Sequence, residues 1–332
     1  MYEGTLILSR SQVAGLLDLP TLIGTMEAAF RSRAEGGSIG TGLLHFDSTG
    51  GLEFHLKAGG LAIDDKVYFG VKINGASFQN TERFGLPNIL GAIALFDGEC
   101  GYPIAIMDSV TITIRRTGAT TAAAANYLAK QDSSVATICG CGKQGRIQLQ
   151  ALKEVLPITT VHAHDANPDA MDVYSAEMSE LLGIDVYPAP DLGQAAGESD
   201  VIVTCTPSKQ AYLMKDHVRP GTFVAAVGAD SPDKQELDEN LFPGNKVVAD
   251  IVEQCARVGE LHHAIDAGLM TANDIHAELG QVFAGQKAGR ESDDEIIIYD
   301  ATGTALQDTA AAYACYKNAT AGGIGTIIDL LG

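Results

Sequence analysis

The chain has 332 residues, more than one ordinary domain needs and enough to bury a large core, so two domains are expected. A hydrophobic share of 46%, an aromatic share of 6% and the lack of tryptophan fit an α/β enzyme rich in alanine and glycine, and exclude a disordered chain. The net charge of −20, with no basic run to offset it, argues against nucleic acid or an anionic membrane as partner and makes each well-placed cation informative about anionic ligands.

The chain opens with a short strand, Leu6 to Leu8, and two helical patterns, Val13 to Leu17 and Leu22 to Phe30, closed by Gly36-Gly37. From Ile39 to Met107 the period becomes extended, in runs such as Leu52 to Lys57, Val67 to Ile73, Ala92 to Phe96 and Pro103 to Met107, which predicts a mostly antiparallel sheet. Within it His55 and Lys57 are two apart and share one face of a strand, while Phe54 and Leu56 point the other way. A half-solvated strand is the plain explanation for that pair. Lys72, set among apolar and glycine neighbours, is harder to explain as surface. The run Asp108 to Ala119 then leads into an alanine-rich helix expected over Thr120 to Leu128. Arg116 is expected just ahead of that helix, where its guanidinium can pair with a carboxylate. Capping or an inter-domain salt bridge is the structural alternative.

Val135 to Cys139 is a short apolar run of the kind that forms a buried parallel strand. Gly140, Gly142 and Gly145 follow in G-x-G-x-x-G spacing, with Lys143 and Gln144 between them. The first glycine allows the tight turn, the second lets a pyrophosphate approach the backbone, and the third lets the next helix pack on its strand. Ile147, Ala151, Leu152 and Val155 recur at helical spacing, so phosphates would meet the N-terminus of a helix. A second strand, Thr159 to His164, ends in Asp165, about twenty residues past the third glycine, where an acid takes ribose hydroxyls. A carboxylate there repels a 2′-phosphate, and Ala166, Asn167 and Pro168 include no arginine to hold one, so NAD is favoured over NADP.

Strands are expected again at Asp185 to Tyr187, Val201 to Cys205, Phe223 to Val227 and Lys246 to Asp250, separated by helices. Two of them run into loops at carboxyl ends, where open α/β sheets bind ligands: Thr204-Cys205-Thr206-Pro207-Ser208 and Gly228-Ala229-Asp230-Ser231-Pro232. The chain closes with Ile296 to Asp300, the turn Ala301-Thr302-Gly303 and a helix from Leu306. The six cysteines, Cys100, Cys139, Cys141, Cys205, Cys255 and Cys315, are scattered as in a reducing compartment. Cys139 and Cys141 have no second C-x-x-C or His pair near them in sequence, and no metal site is expected. Without a signal peptide or an apolar run of about eighteen residues, a cytoplasmic protein is expected.

These segments resemble the ornithine cyclodeaminase/μ-crystallin family, and within it the branch of archaeal-type alanine dehydrogenases. The resemblance rests on Phe69-Gly70-Val71-Lys72, Gly85-Leu86-Pro87, Thr113 to Ala119, Gly140 to Gly145, Val227 to Leu237, Gly289 to Asp293 and Asp300-Ala301-Thr302-Gly303, which together span nearly the whole chain. It implies a substrate-binding and dimerisation domain over 1–117, completed by 305–332, and a central Rossmann domain over 118–304, in homodimers joined through the sheet domain. It implies Lys72 and Arg116 at the substrate carboxylate, with Lys72 also counted as catalytic, and Asp230 as the catalytic acid near the substrate amine. A helix-capping role is the structural alternative for Asp230. The cofactor-binding positions that follow are Gly140, Gly142, Lys143, Gln144, Gly145, Asp165, Thr204, Thr206, Pro207, Val227, Gly228, Thr117 and Gly303. An arginine that relatives carry ahead of Lys72 is absent here, which leaves His55 or Lys57 to take its part. The implied function is NAD-dependent interconversion of a small amino acid and its oxo or imino acid. A cyclodeaminase that retains NAD and a non-catalytic NAD(P)H-binding protein are the alternatives.

Overall fold

The computed structural model describes residues 3–48, 51–77 and 79–332. The chain begins with β1 (Thr5–Leu8), α1 (Arg10–Leu16), α2 (Leu19–Ala34), β2 (Ser38–Asp47), β3 (Glu53–Ile63), β4 (Lys66–Ala76), α3 (Asn80–Phe84), β5 (Ile89–Asp97), β6 (Pro103–Asp108) and α4 (Ser109–Leu128). It continues with β7 (Val135–Cys139), α5 (Lys143–Val155), β8 (Thr160–His164), α6 (Pro168–Leu182), β9 (Asp185–Pro188), α7 (Leu192–Glu198), β10 (Val201–Thr204), β11 (Lys209–Leu213), β12 (Phe223–Ala226) and β13 (Gln235–Leu237). The last part holds β14 (Lys246–Ala249), α8 (Val252–Val258), α9 (Leu261–Asp266), β15 (Ala277–Glu278), α10 (Leu279–Phe283), β16 (Ile297–Asp300), α11 (Ala305–Gly322) and β17 (Thr326–Ile328). Two compact units result, Met1–Arg116 with Thr304–Gly332, and Thr117–Gly303. No single helix among the described residues is long and apolar enough to cross a membrane.

The first unit is built on a seven-stranded sheet in the order β17-β1-β6-β5-β4-β3-β2. Strands β2 to β6 form an antiparallel meander, β1 joins β6 in parallel, and β17 closes the edge antiparallel to β1. Helix α11 lies on β3 and β4 because two glycines make room for it. Gly59 and Gly70 face each other in register, a Cβ on Gly70 would overlap Thr309 Oγ1, and one on Gly59 would come within 3.0 Å of Ala305 Cβ. Thr309 uses that closeness to donate a hydrogen bond to the Gly59 carbonyl at 3.0 Å.

Two sequence expectations change here. The face of β3 that carries Lys57 is the inward one, with Lys57 only 5% exposed, while Phe54 on the other face is 37% exposed, so the lysine does not sit on a solvated side. The helix expected from Thr120 starts at Ser109, and Arg116 lies about two turns inside it rather than ahead of it. The run Val110 to Ile114 is β-branched and reads as extended by propensity, but Ile112, Arg116 and Ala119 are buried at helical spacing, and packing overrides the local preference.

The second unit holds an eight-stranded, wholly parallel sheet in the order β15-β14-β16-β12-β10-β7-β8-β9. Its central strands are short and fully buried, as Val201–Thr204 and Phe223–Ala226 show, which is why they read as unbroken apolar runs. From β7 the chain winds outward through β8 and β9, then returns to place β10 on the other side of β7. The carboxyl ends of β7 and β10 are therefore the switch point of a doubly wound sheet, where such folds bind ligands.

Candidate functional site

In the first unit, Lys57 and Lys72 are direct cross-strand neighbours on β3 and β4, and both are buried. The first turn of α11 answers them. Thr304 and Gln307 form a capping box in which the Thr304 N–H donates to Gln307 Oε1 at 2.7 Å, and the next residue is Asp308. Lys72 Nζ lies 2.7 Å from Asp308 Oδ2, Arg116 Nε donates to Asp308 Oδ1 at 3.1 Å, and Arg116 Nη1 donates to Gln307 Oε1 at 3.0 Å. Lys72, Arg116 and Asp308 are 2%, 4% and 2% exposed. Sequence reasoning brought Lys72 and Arg116 forward but missed Asp308 and Gln307. The signal for them was the T-x-x-Q capping box opening the last helix.

The electrostatics follow from that packing. Burial lowers the Lys72 ammonium to about 7, with Arg116 and Lys57 pushing the same way and Asp308 pulling against them. Burial acts to raise the Asp308 carboxyl, yet Lys72, Arg116 and Lys57 outweigh it and hold the group below its ordinary value. An ionised acid thus sits among cations, one of which exchanges its proton near neutral pH. Such a cluster can bind a carboxylate and move a proton. His55 shares a sheet face with Lys57, but its hydrogen-bonding partners are His45 and Glu53.

In the second unit Gly140 and Gly145 do the structural jobs that their spacing predicts. Gly140 has φ +111°, a conformation that L side chains avoid, and a Cβ there would also press on the Cys205 carbonyl at 3.0 Å. Gly142 caps α5, and a Cβ built on it meets no protein atom within 4 Å, so its backbone is open to a ligand. A Cβ on Gly145 would overlap the Gly140 carbonyl, which is the close packing of helix on turn. Lys143 and Gln144 follow in the first turn of α5, and Gln144 Oε1 is buried without a hydrogen-bond partner among the described residues. Asp165, just past β8, accepts from the N–H groups of Cys141 at 2.8 Å and Asn167 at 2.9 Å, so one carboxylate ties the glycine turn to the next loop. An open helix N-terminus beside an acid on the neighbouring strand fits a dinucleotide.

The remaining candidates lie on loops at the carboxyl edge of the same sheet. Thr204 ends β10, and its carbonyl accepts from the Val227 N–H at 2.9 Å. Thr206 donates to Glu236 Oε1 through both its N–H, at 2.6 Å, and its hydroxyl, at 2.7 Å, and Tyr212 donates to the same oxygen at 2.7 Å. Gly228 N–H donates to Glu236 Oε2 at 3.0 Å. Buried Glu236 therefore clasps the loops after β10 and β12 together. Burial pushes its pKa up while the hydroxyl and N–H donors hold it back. It was not singled out from the sequence, because its value comes only from the loops that it joins. Pro207 is exposed beside Thr206. Gly303 adopts φ +73° and donates its N–H to Asp250 Oδ2 at 2.8 Å, while the Thr117 carbonyl accepts from the Thr121 hydroxyl inside α4. Asp230 lies in the loop after β12, and its Oδ1 is 2.6 Å from Lys234 Nζ. No helix follows it. The chain turns directly into β13, which removes the capping role.

The sequence matches the ornithine cyclodeaminase/mu-crystallin family over residues 3–323. It is 36% identical over 329 residues to an alanine dehydrogenase of Archaeoglobus fulgidus, covering 98% of each chain. Its fold superposes with a TM-score of 0.92 on an archaeal alanine dehydrogenase dimer with bound NAD, at 36% identity and over 98% of this chain and 99% of that one. It matches equally well, at 0.92, a Thermococcus litoralis Δ1-pyrroline-2-carboxylate reductase in complex with NADH and L-proline, at 30% identity and over 98% and 100% of the two chains.

Proposed function

The chain belongs to the ornithine cyclodeaminase/mu-crystallin family, and from that premise we propose that it is an NAD(H)-dependent oxidoreductase interconverting a small 2-amino acid and its 2-oxo or 2-imino acid. The observation that carries this reading is the buried cluster of Lys57, Lys72 and Arg116 around Asp308. On a chain of net charge −20, three cations gathered in a protein interior have a purpose, and a substrate carboxylate is the ligand whose charge they fit. Lys72, titrating near 7, is poised to give or take a proton as carbonyl or imine and amine interconvert. Asp230 is assigned to the substrate nitrogen, where a carboxylate stabilises an iminium and relays its proton.

The nicotinamide, when bound, supplies or accepts the hydride. The residues assigned to its dinucleotide are those of the glycine turn, with Gly142 open to the pyrophosphate and Asp165 at the ribose. That carboxylate favours NAD over NADP. The first unit is assigned to substrate binding and to homodimer formation, and the second to the cofactor. For the dimer, Leu44, Phe46, Phe54 and Ile73 lie on the sheet face opposite the lysines and are 56%, 52%, 37% and 44% exposed, an apolar surface suited to a second copy.

The test is to follow NADH consumption with pyruvate and ammonia and with cyclic imino acids, alongside ammonia release from ornithine. Turnover of NADH with either of the first two is expected. Ammonia release without net NADH turnover would assign the chain to the cyclodeaminases. NADH binding with neither reaction would make it a binding protein.

A further inference from the structure

The hairpin of β2 and β3 holds a side-chain cluster that the proposed reaction does not use. His45-x-Asp47 on β2 and Glu53-x-His55 on β3 each place two side chains on one strand face, and the register sets His45 opposite His55 and Asp47 opposite Glu53. His45 Nε2 is 3.0 Å from Asp47 Oδ1, and His55 Nε2 is 3.2 Å from Glu53 Oε2. Since a carboxylate only accepts, each neutral ring carries its proton on Nε2 and presents a bare lone pair on Nδ1. These two Nδ1 atoms face each other at 3.4 Å across rings set 84° apart. Two lone pairs in that position repel unless something positive lies between them.

We propose that His45 and His55, held in place by Asp47 and Glu53, form a binding site for a divalent transition metal, with zinc as its natural occupant. Two nitrogens bound to one zinc at about 2.0–2.1 Å are about 3.3–3.4 Å apart at the tetrahedral angle, which is the spacing the two imidazoles already have. A Glu53 carboxylate oxygen lies within 4.8 Å of a ring nitrogen of each histidine, close enough to offset the charge of the ion, and the remaining coordination positions are left to water. The bonds from Nε2–H to carboxylates are the outer contacts that fix the tautomer and orientation of metal-binding histidines. Two imidazole ligands suit zinc and its neighbours better than magnesium or calcium, which prefer all-oxygen sites.

The test uses the full chain, freed of metal by a chelator and titrated with Zn²⁺ calorimetrically and with Co²⁺ by its visible d–d absorption. Circular dichroism melts check that each variant is folded. One metal per chain is expected, with the cobalt spectrum of a four-coordinate site. His45→Ala changes an exposed residue and should fold normally, yet it should weaken binding tenfold or more, as should His55→Ala, whereas Asp47→Asn should cost less. No stoichiometric binding to the native chain, or equal binding in His45→Ala, would overturn the proposal. So would a single shared proton seen by histidine NMR that Zn²⁺ does not displace.

Discussion

Lys57 stands directly across from Lys72 on adjacent antiparallel strands, and both are buried. Like charges in that relation oppose folding, and the effect falls on Lys72, whose ammonium is lowered to about 7 chiefly by burial. The unfolded chain holds this proton up to its ordinary value of 10.5, so between about 7 and 10.5 the unfolded state binds more protons than the native one. Stability from this group therefore rises with pH through that window, by up to ~1.4 kcal/mol per pH unit, and its deficit is full below 7. Urea unfolding of native chain and Lys72→Met at several pH values should show the rise in the first and its loss in the second. Parallel curves would mean that Lys72 keeps an ordinary ammonium.

Asp308 is the acid that makes the cluster tolerable. Asp308→Asn keeps the shape of the side chain but removes the carboxylate that pairs with buried Lys72 and Arg116, at a cost of about 3–5 kcal/mol. Combined with Lys72→Met, the same change should cost clearly less than the sum of the two single effects, because each removes what the other leaves unpaired. Additive losses in urea unfolding would show that the Lys72–Asp308 contact carries no coupling.

Glu236 accepts hydrogen bonds from Thr206 N–H, Thr206 Oγ1, Tyr212 Oη and Gly228 N–H. Glu236→Gln turns one acceptor oxygen into a donor facing donors, which should destabilise the chain by about 1–3 kcal/mol. If the two loops serve the cofactor, NADH affinity measured by fluorescence should fall with it. A loss of stability with unchanged NADH affinity would separate these loops from cofactor binding.

How far the sequence spoke for itself depended on how local each cause was. The glycine turn was legible because three glycines and the strand before them act on one another within a few residues. The parallel strands were legible as apolar runs for the same reason. In β3, alternation showed that His55 and Lys57 share a face, but a period of two fixes only which residues go together and not which side turns inward. Burial of Lys57 is decided by α11, whose Asp308 comes from the far end of the chain. Helix α4 was hidden by its β-branched start, and Glu236 by having no meaning apart from Thr206, Tyr212 and Gly228.

Asp230 separates chemistry from architecture most cleanly. It follows β12 at the carboxyl edge of the sheet, precedes no helix that it could cap, and its carboxylate is paired with Lys234 at 2.6 Å. That pair joins partly exposed side chains, 34% for Asp230 and 25% for Lys234, and such pairs contribute roughly 0–1 kcal/mol. Asp230→Asn keeps size and hydrogen bonding while removing the negative charge and, with it, the proton relay proposed for this residue. Melting temperature and NADH affinity should therefore stay close to those of the native chain, while turnover with the oxo or imino acid falls by about 10²–10⁴-fold, the range for a general acid–base group. Lys234→Met supplies the control, since it removes the ion pair but not the carboxylate itself, and it should cost turnover far less. If Asp230→Asn turns over normally, the proton at the substrate nitrogen comes from another group, and Lys72 is the residue already tuned to supply it.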